Sequence, residues 1–453
     1  MVPKREESME HKHLDATAVE RLLAVDRSAE QNEELFHLLA ACPVCREAGG
    51  WLLELHQAHA LPPVFGLIDA ALARSRVEAP QLLNELTALD PEERLARLHA
   101  DPRFASWGLC ELLVRESRQA APDSPSEALH LADLAVHVAD LIPEGEPFEE
   151  KWLYQLRALA WAALANAHRV QGDLSASERA FEMSDAWWEA GTASIGDALG
   201  YEPVLLSLKA PLRTVQRRFP EALKLLDQAV DLFLHGQPEH QDPHLAGRSL
   251  IAKAGVLIEM GASESVIEVL KKANGLIDPE RDPRLVLCIH HNLVDNLSKI
   301  GRHPEAADLL ANLRDLAAAH GSTLDRLRLQ WVEGRVAAGL GDHAQARRLL
   351  AGVRQTFLDQ GNPCEAALAT LDLVIPHLAE GRTAEVQALA DDMVTVFREH
   401  SVPREALAAL LLFQEAARRA TATAELARDV AASLTKVIAA HPGSGVPSAG
   451  PVR

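Results

Sequence analysis

The chain has 453 residues, of which 48% are hydrophobic and only 4% aromatic, and it carries a formal net charge of −20. Its apolar supply is mostly Leu and Ala, both strong helix formers, and no convincing run of alternating β-branched residues is present, so an all-α fold is expected. No Lys/Arg block marks a nucleic-acid surface, and no run of about 18 apolar residues marks a membrane span.

Residues 1–12 are polar and are expected to be disordered. The opening Met1-Val2-Pro3-Lys4-Arg5-Glu6-Glu7 lacks the apolar core of a signal peptide. Five cysteines without framework spacing fit a reducing cytoplasm.

Residues 13–48 read as a helical hairpin. Ala18, Leu22 and Val25 line one short helix. Ser28 and Gln31 form a capping box that opens a second, over about Ala29–Ala41. That helix runs into Cys42-Pro43-Val44-Cys45, and His37 precedes it to give H-x4-C-x2-C. Thiolates and imidazoles at such spacing suit tetrahedral zinc, which would supply folding energy to a hairpin with little core. The plain alternative is a pair of small residues capping a hairpin.

This stretch resembles the zinc-binding N-terminal domain of bacterial anti-sigma factors, in which a His or Cys precedes a hairpin ending His-x3-Cys-x2-Cys. The resemblance covers about residues 11–48. It implies zinc held by His13, His37, Cys42 and Cys45, and a sigma factor as partner. His11 competes with His13, and His56 or His59 could substitute from the other side. The chain departs from the pattern in one respect: His37 and Cys42 are five apart, not four. Five residues turn about 140° around a helix, so the helix must end before Cys42 if both are to reach one ion.

Residues 49–121 read as a connecting region of helices at Trp51–Ala60, Pro63–Ala73, Pro80–Leu89, Pro91–His99 and Phe104–Gln119. Asp90 before Pro91 has the form of a helix cap. Cys110, among Leu109, Leu112 and Leu113, reads as a buried thiol.

Residues 122–440 form a repeat array. After a first helix at Ser126–Leu141, the first clear pair is Trp152–Val170 and Ser175–Ala190. Val266, Ala306, Ala346 and Val386 then recur every 40 positions, and Ala222 and Ser177 extend the series backwards at steps of 44 and 45. A fixed period of this size marks a solenoid. From each landmark, positions +4, +7 and +11 share a helical face: Ala306, Leu310, Leu313, Ala317; Ala346, Leu350, Val353, Phe357; Val386, Ala390, Met393, Phe397. Earlier copies hold Trp188, Phe233 and Ile277 at +11. A small landmark admits a neighbouring helix, and the Gly before it stops the preceding helix in a left-handed residue. The last pair is expected at Pro403–Arg419 and Ala424–Ala439, its second helix capping the stack. Residues 441–453, rich in Pro, Gly and Ser, are expected to be a disordered tail.

The turn Gly341-Asp342-His343-Ala344-Gln345-Ala346, with bulky residues downstream, resembles the tetratricopeptide repeat superfamily, over roughly residues 150–420. The period exceeds the usual 34, which implies longer helices or turns. The resemblance implies an all-α, tetratricopeptide-like α-α superhelix and a protein or peptide partner. Within the groove lined by the first helices of each pair, Asn292 and Asn296 at i, i+4, and Arg328, Trp331 and Arg335, are the candidate contacts.

Catalytic patterns are missing: there is no phosphate loop, nucleophile elbow or His-Glu-x-x-His. Cys288 with His290 and His291 reads as core, not as a dyad. Cys364, after Pro363 at a helix start, has no base beside it. His235, His240 and His244 lie in or beside a solvated interruption, without carboxylate or Cys at ligand spacing. The expected function is a cytoplasmic protein–protein interaction scaffold that regulates transcription through a sigma factor. The alternatives are a zinc- or redox-sensing protein or enzyme using Cys42 and Cys45, and a structural assembly protein without metal. On the zinc reading, purified protein should carry stoichiometric zinc by elemental analysis, and Cys42→Ser should lose most of it. Equal zinc in both would remove the site.

Overall fold

A computed structural model describes residues 64–121, 124–144, 150–193, 196–197, 199–399 and 403–440. All regular structure among them is helical. The packing divides the chain into two units. One holds the described residues up to Leu112 together with 137–153; the other holds 113–136 and those from Tyr154 onward.

In the first unit, α1 (Val64–Thr87) is followed by α2 (Pro91–Ala100), a 3-10 turn at Pro102–Phe104, and the start of α3 (Trp107–Ala120). The sequence reading placed a break at Pro80, but α1 runs straight through it. One missing N–H is tolerated because Ala79, Leu82 and Leu86 around it are buried. Asp90 is the cap residue of α2, yet its side chain makes no capping hydrogen bond. The backbones of α1 and α3 touch: Gly108 N–H donates to Ser75 Oγ at 2.7 Å. A Cβ at Gly108 would lie 2.4 Å from the Ser75 carbonyl oxygen, so this crossing admits no side chain.

In the second unit, Ser117 Oγ on α3 donates to the Ala128 carbonyl of α4 (Pro125–Leu141) at 2.7 Å. From there the helices come in pairs: α5 (Glu150–Gln171) with α6 (Leu174–Thr192), and α7 (Glu202–Val215) with α8 (Phe219–His235). Next are α9 (Pro243–Glu259) with α10 (Ser263–Asn274), and α11 (Pro283–Lys299) with α12 (His303–His320). Then follow α13 (Thr323–Gly339) with α14 (His343–Asp359), α15 (Pro363–Ala379) with α16 (Thr383–Glu399), and α17 (Arg404–Arg418) with α18 (Ala424–Ala440). From α7 to α16, each second helix packs on its own partner and on the first helix of the next pair. The first helices of α11, α13 and α15 also touch in succession. This is an all-α, tetratricopeptide-like arrangement of stacked helix pairs.

The turns inside the pairs share one construction. Gly172, Gly261, Gly301, Gly341 and Gly381 all take φ between +69° and +89°. At Gly301, its N–H bonds the Ser298 carbonyl and the next N–H, of Arg302, reaches back to Leu297. The same two bonds recur at Gly341 with Ala338 and Ala337, and at Gly381 with Leu378 and His377. This left-handed stop satisfies the last carbonyls of the first helix and aims the chain into the second. At α7/α8 the same site holds Arg217, with φ +58°, and both bonds are still made, to Thr214 and Arg213.

The landmark stripe is the core. Ala222, Val266, Ala306, Ala346 and Val386 are buried, as are Phe357 and Phe397 at +11. Trp188 in the first pair is only half-buried. The final pair departs from the series. α18 packs on α17 and back onto α15, not onward. Its Ala427, Val430 and Leu434 join the cluster of Cys364, Leu371 and Val374 from α15. α18 thus closes the layer of first helices, and exposed Glu425, Arg428 and Asp429 face away from the core.

The turns give a paired prediction. Gly341→Ala should lower stability to urea by about 1 kcal/mol or more, because an L-residue is strained at that φ. Arg217→Gly should raise it, by up to about 1 kcal/mol, because the strain is already present there. Opposite signs in equilibrium unfolding are the check.

Candidate functional site

The first helices of three consecutive pairs meet at a polar cluster. Arg335 on α13 donates from Nη1 to Asp295 on α11 at 2.5 Å and from Nε to Asp372 on α15 at 2.6 Å. Trp331 Nε1 donates to the same Asp372 oxygen at 2.7 Å, and the Arg335 guanidinium lies 4.9 Å above the Trp331 ring. Lys299 closes the far side, 2.7 Å from Asp295. The repeat positions the parts: Asp295 and Arg335 occupy the same place in successive units, 40 residues apart.

Burial acts to raise the Asp295 carboxyl, but Lys299 and Arg335 outweigh it and hold it well below the usual carboxylate range. The Arg335 guanidinium is held above its ordinary value: burial acts to lower it, and Asp372 and Asp295 outweigh that. Asp295 and Arg335 are therefore ionised at neutral pH. Asp295, Arg335 and Asp372 are each answered by a charge on another helix of the array, and Lys299 by Asp295 of its own helix.

The other candidates fall in different places. Asn292 and Asn296 share a helical face, but they are only 4% and 1% exposed, and the Asn296 amide donates to the Asn292 carbonyl at 2.9 Å. They do not offer outward amides, because α11 is packed by α10, α12 and α13. Trp331 is buried. It meets Phe357 edge to face, with 5.5 Å between ring centroids. Phe357 in turn lines a cleft of about 250 Å³ between the starts of α13 and α15 and the end of α14. Thr323, Leu324, Arg328, Gln360, Asn362 and Glu365 complete it. Arg328, half-buried, belongs to this cleft and not to the Arg335 cluster.

None of the three described cysteines is activated. Burial pushes the Cys288 thiol up to about 12 and Cys364 up to about 11, and raises Cys110 as well. At Cys364 the neighbouring Glu365 carboxylate acts in the same direction as burial. Burial lowers His290 and His291 below the ordinary imidazole value. The three histidines of the α8–α9 connection serve separate local ends. His235 Nδ1 is 3.0 Å from Asp231, the His240 ring lies against Gly200, and His244 Nδ1 accepts from the Asp278 N–H at 3.2 Å. Among the described residues no group of three or more His, Cys, Asp or Glu could hold a metal ion. His13, His37, Cys42 and Cys45, with His11, His56 and His59, lie outside the described residues.

Sequence reasoning found Trp331 and Arg335 but missed Asp295 and Asp372, the carboxylates that hold them. The signal for Asp295 was available in the 40-residue register with Arg335. Asp372 lies 37 residues from Arg335, out of register, so only the packing reveals it.

Neither a protein-family description nor a curated protein sequence matches the chain. Solved structures of the nearly identical TPR-like repeats of a putative kinesin light chain from Podosopora anserina are similar to it. A single-residue variant of those repeats is 18% identical, covering 50% of this chain and 97% of its own, with a TM-score of 0.32. Another form is 19% identical, covering 47% and 97%, with a TM-score of 0.31. The tetratricopeptide-like character of this chain lies in its stacked helix pairs and left-handed turns. No helix of the described residues is long and apolar enough to cross a membrane.

The ion cluster sets a pH dependence. A carboxyl whose value is depressed on folding adds stability that is full above its unfolded value of about 3.9 and is lost as pH falls through the folded value. Asp295→Asn should therefore cost on the order of 1–3 kcal/mol at neutral pH, with the cost starting to shrink only below about pH 4 and vanishing only in stronger acid, below the folded value. Urea unfolding of both proteins at pH 7 and at successive steps below about pH 4 checks this; a loss that does not shrink with acidity would contradict it.

Proposed function

We propose that this protein is a non-catalytic scaffold that binds a protein or peptide partner on the side formed by the first helices of α11–α16. The observation that supports it is the convergence of side chains from three successive pairs, on α11, α13 and α15, into one ion cluster with a cleft beside it. Such an arrangement holds side chains in fixed places over several repeats, as binding an extended partner requires, and needs no reacting group. Regulation of transcription through a sigma factor is the finer reading. It rests on the resemblance of residues 11–48 to the anti-sigma zinc domain, and zinc at His13, His37, Cys42 and Cys45 is part of it.

The test is capture by the full-length protein from native lysate, followed by affinity measurement with the purified partner. Substitutions of exposed or half-exposed residues on the first helices should weaken binding by about tenfold or more, and those on exposed faces of α12 and α14 should not. Sensitivity confined to α12 and α14, or capture of no protein at all, would overturn the scaffold reading. A sigma factor among the captured proteins would support the finer one; any other partner would remove it.

A further inference from the structure

Arg328 and Arg335 are seven residues apart on α13 and so lie on nearly the same helical face. Their surroundings differ. Arg335 is held by two carboxylates. Arg328 has its Nε buried and without a hydrogen-bond partner among the described residues. Two carboxylates are electrostatic neighbours of Arg328, and neither answers that nitrogen. Asp325 is engaged in the capping box of α13, where it accepts from the Ser322 N–H at 2.8 Å and from the Ser322 hydroxyl at 2.7 Å. Glu365 lines the same cleft and attracts the guanidinium without bonding its Nε. Arg284, exposed on α11, adds positive charge within electrostatic reach of Arg328.

The rest of the cleft is mixed in character. Leu324 is 39% exposed and Phe357 is buried beside it, giving an apolar wall. Gln360 and Asn362 supply neutral hydrogen-bonding groups at the rim. The volume of about 250 Å³ falls below the usual range for a cofactor or metabolite pocket but admits one or two side chains. A guanidinium presents a planar fork of donors whose natural acceptor is a carboxylate.

We propose that this cleft binds an acidic side chain of a protein partner, its carboxylate on Arg328 and a neighbouring apolar residue against Leu324 and Phe357. The proposal rests on the scaffold reading and narrows it to a partner segment that places Glu or Asp next to a Leu-like residue. Glu365 at the same cleft competes for the guanidinium and opposes every guest carboxylate, so a single carboxylate with an apolar neighbour fits better than an acidic run.

The test uses end-capped hexapeptides of sequence Gly-Leu-Glu-Gly-Leu-Gly and the two forms in which Gln or Lys replaces Glu. Binding to the full-length protein is followed by saturation-transfer NMR and calorimetry. The Glu peptide is expected to bind in about the millimolar range, and the Gln and Lys peptides about tenfold more weakly. Arg328→Gln should erase that preference. Gln360→Glu changes an exposed rim residue and leaves Arg328 in place; it should weaken the Glu peptide severalfold, and it decides the matter if Arg328→Gln fails to fold. Equal binding of the Glu and Gln peptides, no binding of any of them, or a preference undiminished by Gln360→Glu would overturn the proposal. A captured partner whose affinity is unchanged by Arg328→Gln would overturn the cleft and leave the scaffold standing. Peptide discrimination without any captured partner would do the reverse.

Discussion

The second unit depends on how a helix is stopped. Each first helix ends in a residue held left-handed, and the two backbone bonds made there fix the angle at which the second helix departs. Repetition of that one stop at Gly172, Gly261, Gly301, Gly341 and Gly381 gives the pairs a common geometry. Burial then follows: with the angle fixed, a small landmark residue lets the helices approach, and the large residue at +11 fills the space opened further along. Arg217 shows the order of importance. The chain keeps the left-handed stop there even without glycine, because losing both turn bonds and misdirecting α8 would cost more than the local strain.

Once the pairs stack, the side chains of the first helices become neighbours across the array although they are far apart in sequence. The Asp295–Arg335–Asp372 chain of contacts is the result. It links three pairs through charges that are only partly exposed, where they are less screened than surface pairs. Trp331 joins this cluster to Phe357, and through it to the cleft that holds Arg328. The ion cluster is thus a property of stacking: Asp295, Arg335 and Asp372 come from three different pairs and would not meet within one.

The array also has to end. A regular second helix at the last pair would leave the first-helix layer uncovered at α15. The chain instead folds α18 back onto α15, so that Ala427, Val430 and Leu434 cover apolar residues that a following repeat would have covered. The exposed face of α18 is charged, as the end of a stack in water requires.

Local chemistry was enough to make the helix pairs legible from the residues alone. Periods of 3.6 and 40, the turn glycines and the small landmarks placed α5, α6, α17 and α18 to within a few residues and marked the turns at Gly301, Gly341 and Gly381. They also identified Phe357 and Phe397 as core. Sequence reasoning went astray where a local rule competes with packing. It broke α1 at Pro80, but burial of Ala79, Leu82 and Leu86 holds that helix together. It offered Asn292 and Asn296 as groove contacts from their i, i+4 spacing, but three neighbouring helices cover α11 and both are buried. What only the tertiary structure decided is which charges meet. The pairing of Arg335 with Asp372 out of register, the lack of an acceptor for Arg328 Nε among the described residues, and the return of α18 to α15 depend on distances between helices, and no pattern along the chain encodes those distances.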